Sequence, residues 1–197
     1  GGASTIDSIR AAVLAVPGVR TANVFANRSM ETDADGRPPK SVEVIVLGGS
    51  DEDVARAIHE TIAAGIEPFG DVEVPVTDVG GQMQLIRFNR AQTVDIYVSI
   101  EVETNAEYPI DGDDRVRNAV IAYIGGEDTE GVTHPGLNLG QNVVWTAVIE
   151  AARTVPGVVD VQVTMGTSPN PTGTSNIAVA PREVAETDAE KVVITHA

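Results

Sequence analysis

The sequence predicts an α+β fold made of two small modules of mixed helix and sheet. Three observations predict it. The chain has 197 residues, of which 42% are hydrophobic, and this is enough apolar side chain for two small cores. Helical and strand periodicities follow one another without strict alternation, which favours α+β over α/β. The stretch Val-Pro-Gly-Val occurs twice, at residues 16–19 and 155–158, each time between a helical run and a strand run.

The first of these joints ends a predicted helix and starts a predicted strand. Ser4 or Thr5 is placed to cap the start of the helix through its hydroxyl group. Pro17 disfavours helical geometry at the preceding residue, and Gly18 can adopt the positive φ that reverses the chain. The predicted helical stripe is Ile6, Ile9, Val13 and Val16, and the predicted strand face is Ala22, Val24 and Ala26.

The second joint repeats this arrangement. When the two joints are aligned, the two strand faces coincide residue by residue. A helix–Pro–Gly–strand connection also arises by coincidence, so two interpretations stay open: an internal repeat of related modules, or one local turn used twice. The second predicted helical stripe is Val144, Val148, Ala151 and Val155, and the second strand face is Val161, Val163 and Met165.

Two strands and a helix are predicted between the first joint and residue 80. Residues 41–49 are apolar on both faces, which is typical of a central strand, whereas residues 71–78 have period two and Pro75 indicates a sheet edge. Between them, residues 50–66 predict a helix. Ser50 caps this helix with Asp53 three residues later, Gly65 closes it, and its buried stripe is Val54, Ile58 and Ile62.

The second half of the chain contains the clearest strand, at residues 93–104, and a helix at 111–126. Short strands at 177–180 and 192–194 finish the chain. Because Gly80 and Gly81 interrupt the pattern, we predict modules at residues 1–82 and 83–197. The strand places Val94, Ile96, Val98, Ile100 and Val102 inward and Asp95, Ser99, Glu101 and Glu103 outward. The helix places Val116, Val120 and Ile124 inward.

The charge balance disfavours some classes of partner. The chain has 29 acidic and 13 basic side chains, for a net charge of −16, and such a surface repels phosphate backbones and anionic lipid. We therefore expect neither nucleic acid nor membrane as a partner. The acidity is explained by ordinary solubility or by a salt-rich habitat, and both readings stay open. The first residues lack a starting Met and the features of a signal peptide, which indicates a processed chain, an engineered piece or a fragment.

Residues that could carry chemistry are sparse and scattered. The chain has no Cys, and its histidines, His59, His134 and His196, stand far apart. Asp33 and Asp35 are spaced as in a calcium loop but lack the distal ligands, which favours a solvated turn. The stretch "DGDD" at 111–114 is typical of a helix start, and the single tryptophan, Trp145, is expected in the core. We expect no catalytic residue, cofactor or metal.

Several stretches stand in order along essentially the whole chain. They are "VPGV" in both places, "GRPPKSVEVIVLGGSDEDVARAIHETIAAGI", "IRFNRA", "VDIYVSIEV", "LGQNVVWTAVIEAARTVPGV" and "SNIAVAPREVAETDAEKVVIT". This series resembles the J-like baseplate protein family of contractile-tailed phages and related injection machines. None of these motifs is a catalytic signature, so the specificity of the resemblance lies in their order. Members of the family usually have further sequence upstream of the first joint.

The resemblance implies a structural protein of the baseplate wedge, located around the hub of the virion tail. The tail could belong to a phage, a prophage or a tail-derived particle. It implies partners among the other baseplate proteins and copies of the same chain, a small homo-oligomer in isolation, and assembly in the cytoplasm of a bacterial or archaeal host. Two alternatives from other classes stay open: a receptor- or glycan-binding module, and a tail-borne hydrolase with paired carboxylates. The hydrolase would require an inward acid on an apolar face, and the periodicity indicates none.

Overall fold

The computed structural model describes the backbone of residues 2–197 and the side chains of residues 6–197. This part of the chain contains four helices and twelve strands, and the strands form mixed sheets, so the predicted α+β class is confirmed. None of the helices described is both long enough and apolar enough to span a bilayer.

Two compact units divide the chain after Ala91, and the second unit begins at Gln92. The boundary predicted from the sequence lies near Gly80 and Gly81, about one strand earlier. The difference has a simple cause. Residues 83–90 form a strand that pairs antiparallel with residues 72–77 and parallel with the central strand of the first unit, so these residues belong to the first unit.

The first unit is a sheet with two helices on one face. The central strand β2 pairs antiparallel with β1 and parallel with β5, β4 forms the edge beyond β5, and the short β3 pairs with β2. The predictions of a central strand at 41–49 and of an edge strand containing Pro75 are both confirmed. The elements are α1 (Gly2–Leu14), β1 (Val19–Asn27), β2 (Ser41–Gly48), α2 (Asp51–Thr61), β3 (Glu67–Phe69), β4 (Val72–Thr77) and β5 (Met83–Arg90).

The helices of the first unit begin and end differently from prediction in two places. The α1 helix begins at Gly2, ahead of Ser4 and Thr5, whose side chains lie outside the described residues. In α2 the Ser50 hydroxyl accepts a hydrogen bond from the Asp53 amide, which confirms the predicted cap. However, α2 ends at Thr61, because Ile62 is extended, so Gly65 lies in the following turn and does not close the helix.

The second unit has two sheets. One has the order β10-β7-β12 and the other the order β6-β11-β8-β9. Its elements are β6 (Gln92–Asp95), β7 (Tyr97–Thr104), α3 (Gly112–Ile124), β8 (Gly126–Glu127), β9 (Thr133–His134), α4 (Trp145–Ala152), β10 (Val158–Gly166), β11 (Glu183–Asp188) and β12 (Val192–His196).

Two strand predictions for this unit need correction. The single strand expected at 93–104 is two strands in different sheets, divided at Ile96, whose amide donates to Glu186 and whose carbonyl accepts from the Thr187 hydroxyl. The predicted faces still hold, because the alternation of buried side chains continues through the break. Residues 177–180 form no strand; only Ile177 makes an isolated bridge, to Val143, while β11 follows at Glu183–Asp188.

Each unit has its own buried core between helices and sheet. The three side chains predicted to face inward from α3 are fully buried. Those of α2 differ, since Val54 and Ile58 are fully buried but Ile62 is only partly so. The core of the first unit is Ile9, Val13, Val16, Ala22, Val42, Val44, Val46, Val54, Ala55, Ile58, Val74, Ile86 and Phe88. The largest buried side chains of the second unit include Ile96, Ile100, Ile121, Ile124 and Met165.

The two Val-Pro-Gly-Val joints are equivalent in three dimensions beyond the turn itself. Gly18 and Gly157 have φ of 84° and 82°. The strand after each joint pairs antiparallel with a central strand, and each ladder has a bulge at the second residue of the strand, Arg20 or Val159. A turn motif used twice by coincidence would not fix the partner strand or the bulge, so these observations favour an internal repeat.

The alignment also corrects the second helical stripe. Val144 precedes α4 and is 37% exposed, and Ala151 is half-buried, whereas Ala152 is fully buried. The stripe therefore lies one residue away from the prediction at two of its four positions. Aligned on the joints, Trp145, Val148, Ala152 and Val155 match Ile6, Ile9, Val13 and Val16.

The equivalence extends to three neighbouring strands and two helices in each unit, and we call each such set a frame. In each unit the central strand, β2 or β7, has an antiparallel neighbour after the joint and a parallel neighbour on its other side, β5 or β12. A helix follows the central strand and packs on the helix before the joint, as α2 packs on α1 and α3 on α4. The chain order differs: the joint comes before the central strand in the first unit and after it in the second.

Candidate functional site

A buried ion pair lies on the outer face of the first sheet, opposite the helices. Glu43 of β2 is 1% exposed and Arg37 of the preceding loop is 8% exposed. The Arg37 Nε donates to Glu43 Oε1 at 3.0 Å, and the Asn89 Nδ2 donates to Glu43 Oε2 at 2.5 Å. The guanidinium also lies 4.8 Å from the centre of the Phe25 ring. Both oxygens of the carboxylate are therefore bonded.

The loop at 28–40 brings Arg37 to this position and covers the outer face of β1 and β2. Asn27, the last residue of β1, donates from Nδ2 to the carbonyls of Glu31, Arg37 and Pro38. Asp33 accepts from the Arg37 amide at 2.8 Å and pairs with its guanidinium at 3.2 Å. The loop is thus held by side chains, and Glu43 is buried because the loop lies over it.

These contacts bear on the predicted calcium-like turn. Asp33 and Asp35 both direct a carboxylate oxygen to the Arg37 guanidinium, each at 3.2 Å. Burial works to raise the pKa of Asp33, but the hydrogen bonds and charge of Arg37 outweigh it and hold this pKa below its ordinary value. Asp35 is exposed, in line with the turn interpretation, whereas Asp33 is part of the buried arginine network.

The sequence analysis found no acid on an apolar strand face, and the buried Glu43 shows that this prediction was wrong. A signal was present, since Ile45 and Leu47 share that face with Glu43, and a face with two large apolar residues is usually covered. An acid on such a face requires a cation, and Arg37 stands six residues upstream beyond a Pro-Pro turn.

A second cluster, in the second unit, joins a loop, a helix start and the last strand. The Tyr108 hydroxyl donates to Asp113 Oδ1 at 2.6 Å, and the His196 Nε2 lies 2.9 Å from the same oxygen. Burial and the bond to Asp113 raise the pKa of Tyr108. Burial works to raise the pKa of Asp113, but the hydrogen bonds from Tyr108 and His196 hold it below its ordinary value. The phenol therefore stays protonated at neutral pH and the carboxylate charged.

This cluster is a clamp between the start of α3 and the end of β12, and the first unit has an equivalent contact. Asp113 lies in the first turn of α3, which confirms the predicted helix start, and His196 ends β12. In the first unit Asp51 lies in the first turn of α2 and pairs with Arg90, the last residue of β5. In both frames the parallel strand is thus tied at its end to the start of the helix that follows the central strand.

The remaining histidines and the tryptophan lie outside the two clusters described above. His134 pairs with Asp128 at 2.8 Å, and this hydrogen bond holds the pKa of Asp128 below its ordinary value. His59 lies on α2, and its buried Nδ1 has no hydrogen-bond partner among the described residues. Trp145 packs against the second core, as predicted, and its Nε1 donates to the Val163 carbonyl at 3.0 Å. His134 and His196 thus have different carboxylate partners, Asp128 and Asp113.

The arrangement of ligating residues does not form a metal centre in the part of the chain that the structure describes. No group of three or more His, Cys, Asp or Glu side chains there is placed to hold an ion. The bonded clusters tie loops and strand ends to the sheets. These hydrogen bonds and ion pairs can hold each of the two frames rigid.

Comparison with known proteins gives a structural similarity. No family model matches the sequence, and no curated protein matches it. The chain is similar to a chain in the structure titled "Cryo-EM structure of the anti-feeding prophage (AFP) baseplate, 6-fold symmetrised", with 13% sequence identity and a TM-score of 0.46. The alignment covers 91% of this chain and 36% of that chain, so this chain spans about a third of its length.

Proposed function

We propose that the chain is a structural protein of a contractile-tail baseplate of phage or prophage type. The observation that carries the proposal is the ordered series of J-like motifs along the sequence, now placed on the fold. The motifs coincide with the shared frame: both joints, the connection from β2 to α2, the strand β5 and the central strand β7. The residues that carry the resemblance therefore include residues of both frames.

The finer proposal is a J-like wedge subunit that contacts other baseplate proteins and copies of itself around the tail hub, after assembly in the host cytoplasm. Two related frames in one chain would offer two similar docking faces. The strand ends bonded to helix starts and the covered outer face of the first sheet favour rigid units. Rigidity suits a subunit that transmits force rather than one that turns over substrate.

The alternative functions receive less support from the same residues. A glycan-binding module would use exposed aromatic rings, whereas Trp145 packs on the core and its indole N–H donates to the Val163 carbonyl. A hydrolase of paired carboxylates would use a buried acid with a raised pKa, whereas the buried acid Glu43 is bonded to Arg37 and Asn89. We therefore propose that the chain is not an enzyme.

The experiment begins with the genes beside the one that encodes this chain, where sheath, tube, spike or wedge genes are expected. The gene is then disrupted in the tail-producing strain and restored from a plasmid, and particles are imaged by electron microscopy. We expect tails without a complete baseplate, and complete particles after restoration. Normal, functional particles from the disrupted strain would overturn the proposal. Activity lost on substitution of a single carboxylate, in a broad hydrolase screen, would favour the enzyme instead.

A further inference from the structure

The outer strand of the first sheet, β1, directs part of its backbone away from the sheet. In an antiparallel pair, alternate residues point their N–H and C=O groups away from the partner strand. The Val46 carbonyl of β2 accepts from the Ala91 amide on the far side, so Ala22, which stands opposite Val46, points away from β2. Val24 and Ala26 follow at intervals of two and point the same way. Among the strands described, none pairs with β1 on this side.

Most of these outward groups are open. The Ala22 carbonyl accepts from Arg10 Nε at 3.0 Å. The N–H and C=O groups of Val24 and Ala26 have no hydrogen-bond partner among the residues that the structure describes, and both residues are only half-buried. Residues 21–27 carry no charged side chain. A long edge strand without charges is a template for pairing with another chain.

The second unit bonds the equivalent groups within its own chain. Aligned on the joints, the residues of β10 that match these two are Val163 and Met165. The Val163 carbonyl accepts from Trp145 Nε1 at 3.0 Å, whereas the matching residue of the first unit, Ile6, has no side-chain donor. The Met165 amide donates to the Gly173 carbonyl at 2.8 Å, because the loop after β10 turns back along the strand.

The loop after β1 takes another course. It runs over the outer face of the sheet, where Arg37 bonds to Glu43, and it leaves the edge of β1 open. The two strands share their register with the central strand, so the difference lies in the residues around the edge and not in the frame. One edge is thus closed by its own unit, and the matching edge is left to pair.

The spacing of the open groups fits a symmetric antiparallel pair. Two copies of β1 that pair about Phe25 place Val24 opposite Ala26 of the other copy, and Ala26 opposite Val24. Each such pair exchanges two hydrogen bonds, so every open group of these residues is satisfied. Phe25 then stands opposite Phe25 of the other copy in a non-hydrogen-bonded pair, where side chains are close and aromatic pairs stabilise a sheet.

We propose that the first unit binds a second copy of this chain by antiparallel pairing of the two β1 edges, which joins their sheets. A second copy fits because residues 21–27 add no charge to the contact and their open groups complement themselves. The net charge of −16 keeps the pairing weak at low salt, and screening strengthens it. The inference does not rest on the proposed baseplate role, since it concerns the isolated chain, and its failure would leave the gene-disruption experiment unaffected.

The first test uses the absence of cysteine from the chain. In Phe25→Cys the proposed pairing brings the two Cα atoms to about 4.5 Å, within the range of a disulfide. We expect mild oxidation of the full chain to give a covalent dimer, with a higher yield at about 1 M salt than at about 0.1 M. Asn23→Cys is the register control, because its two copies would lie roughly 13 Å apart along the strands. Thr164→Cys makes the matching change on β10, and neither control should cross-link.

The second test removes one of the open groups. Val24→Pro deletes an outward N–H and spares the bonds between β1 and β2, since Val24 makes none of them. Sedimentation velocity should show dimerisation weakened about tenfold or more, because two hydrogen bonds between the copies are lost. The matched control is Val163→Pro on β10, which should associate as the wild type does. Circular dichroism shows whether each variant keeps its fold, and if V24P does not, the cysteine variants decide the question alone.

Three results would overturn the inference. One is a wild-type chain that stays monomeric at every salt concentration. Another is equal weakening of the dimer by V24P and V163P, which would place the contact elsewhere. The third is cross-linking of N23C or T164C as efficient as that of F25C, which would mean random collision or a different register.

Discussion

Removal of Arg37 should destabilise the first unit more than removal of any exposed arginine. In Arg37→Met the Glu43 carboxylate, which is 1% exposed, would lose the charged hydrogen bond to its Oε1 and keep the bond from Asn89 to its Oε2. Breaking a buried ion pair by removing one partner costs about 3–5 kcal/mol, because the remaining charge is buried without compensation. The matched control is Arg87→Met, whose partner Glu73 is 51% exposed at the side chain, and there we expect a loss below about 1 kcal/mol.

The measurement is the free energy of unfolding from urea titrations followed by circular dichroism, with hydrogen exchange of the β2 amides to assign the loss to the first unit. The double variant R37M/E43M removes both charges and should recover most of the loss, since replacing a buried pair by apolar side chains is often neutral. Equal losses in R37M and R87M, or no recovery in the double variant, would show that the pair is not buried in solution and would refute the reasoning.

Four further predictions follow from the same structure. Gly157→Ala should lower the melting temperature more than Gly18→Ala. Both glycines have positive φ, but the added Cβ would lie 2.2 Å from the Tyr108 nitrogen in the second joint and 3.5 Å from the Gly49 nitrogen in the first. Equal losses in the two variants would contradict the packing described. Ile58→Ala or Val120→Ala should cost about 1–4 kcal/mol in a denaturant series, because both are fully buried, whereas Glu101→Ala on the exposed face should cost under about 0.5; similar losses would mean the faces are misassigned. Folding lowers the pKa of Asp113, so the ionised carboxylate stabilises the fold above the unfolded pKa near 3.8, and this stabilisation is lost as the pH falls below that value. Asp113→Asn should therefore make the free energy of unfolding fall less steeply in acid. An unchanged dependence on pH would argue against the clamp. Light scattering across a salt series should show a monomer or small oligomer at low salt and more self-association near 1 M, where the screening length is about 3 Å, and a stable large ring at low salt would contradict weak contacts between acidic copies.

The sequence was most informative where a local rule acts alone. Ser50 and Asp53 form a cap whose partners are three residues apart, and Pro75 marks an edge because it has no amide to donate, so neither depends on distant residues. The buried stripe of α3 was equally predictable, because helical period decides which side chains share a face.

The sequence was least informative where a contact distant along the chain decides the outcome. The break at Ile96 depends on Glu186 and Thr187, some 90 residues away, and nothing in the alternation of residues 93–104 indicates it. The burial of Glu43 depends on a loop that folds back over its own sheet, so the strand pattern, which is apolar on both faces, does not show which cation lies over the acid. The expected absence of a catalytic or metal site remains a prediction.

The position of β12 has a consequence for how the protein is made. The first unit is complete once Ala91 has been synthesised, since its last strand, β5, ends at Arg90. The central strand β7 of the second unit lacks its parallel neighbour until Val192–His196, the last strand of the chain, has been made. Domains generally fold as units in order of synthesis, and pairing between distant segments is slow. The first unit can thus fold while the second is still being translated, whereas the second must wait, with an open edge on β7, until β12 has been synthesised.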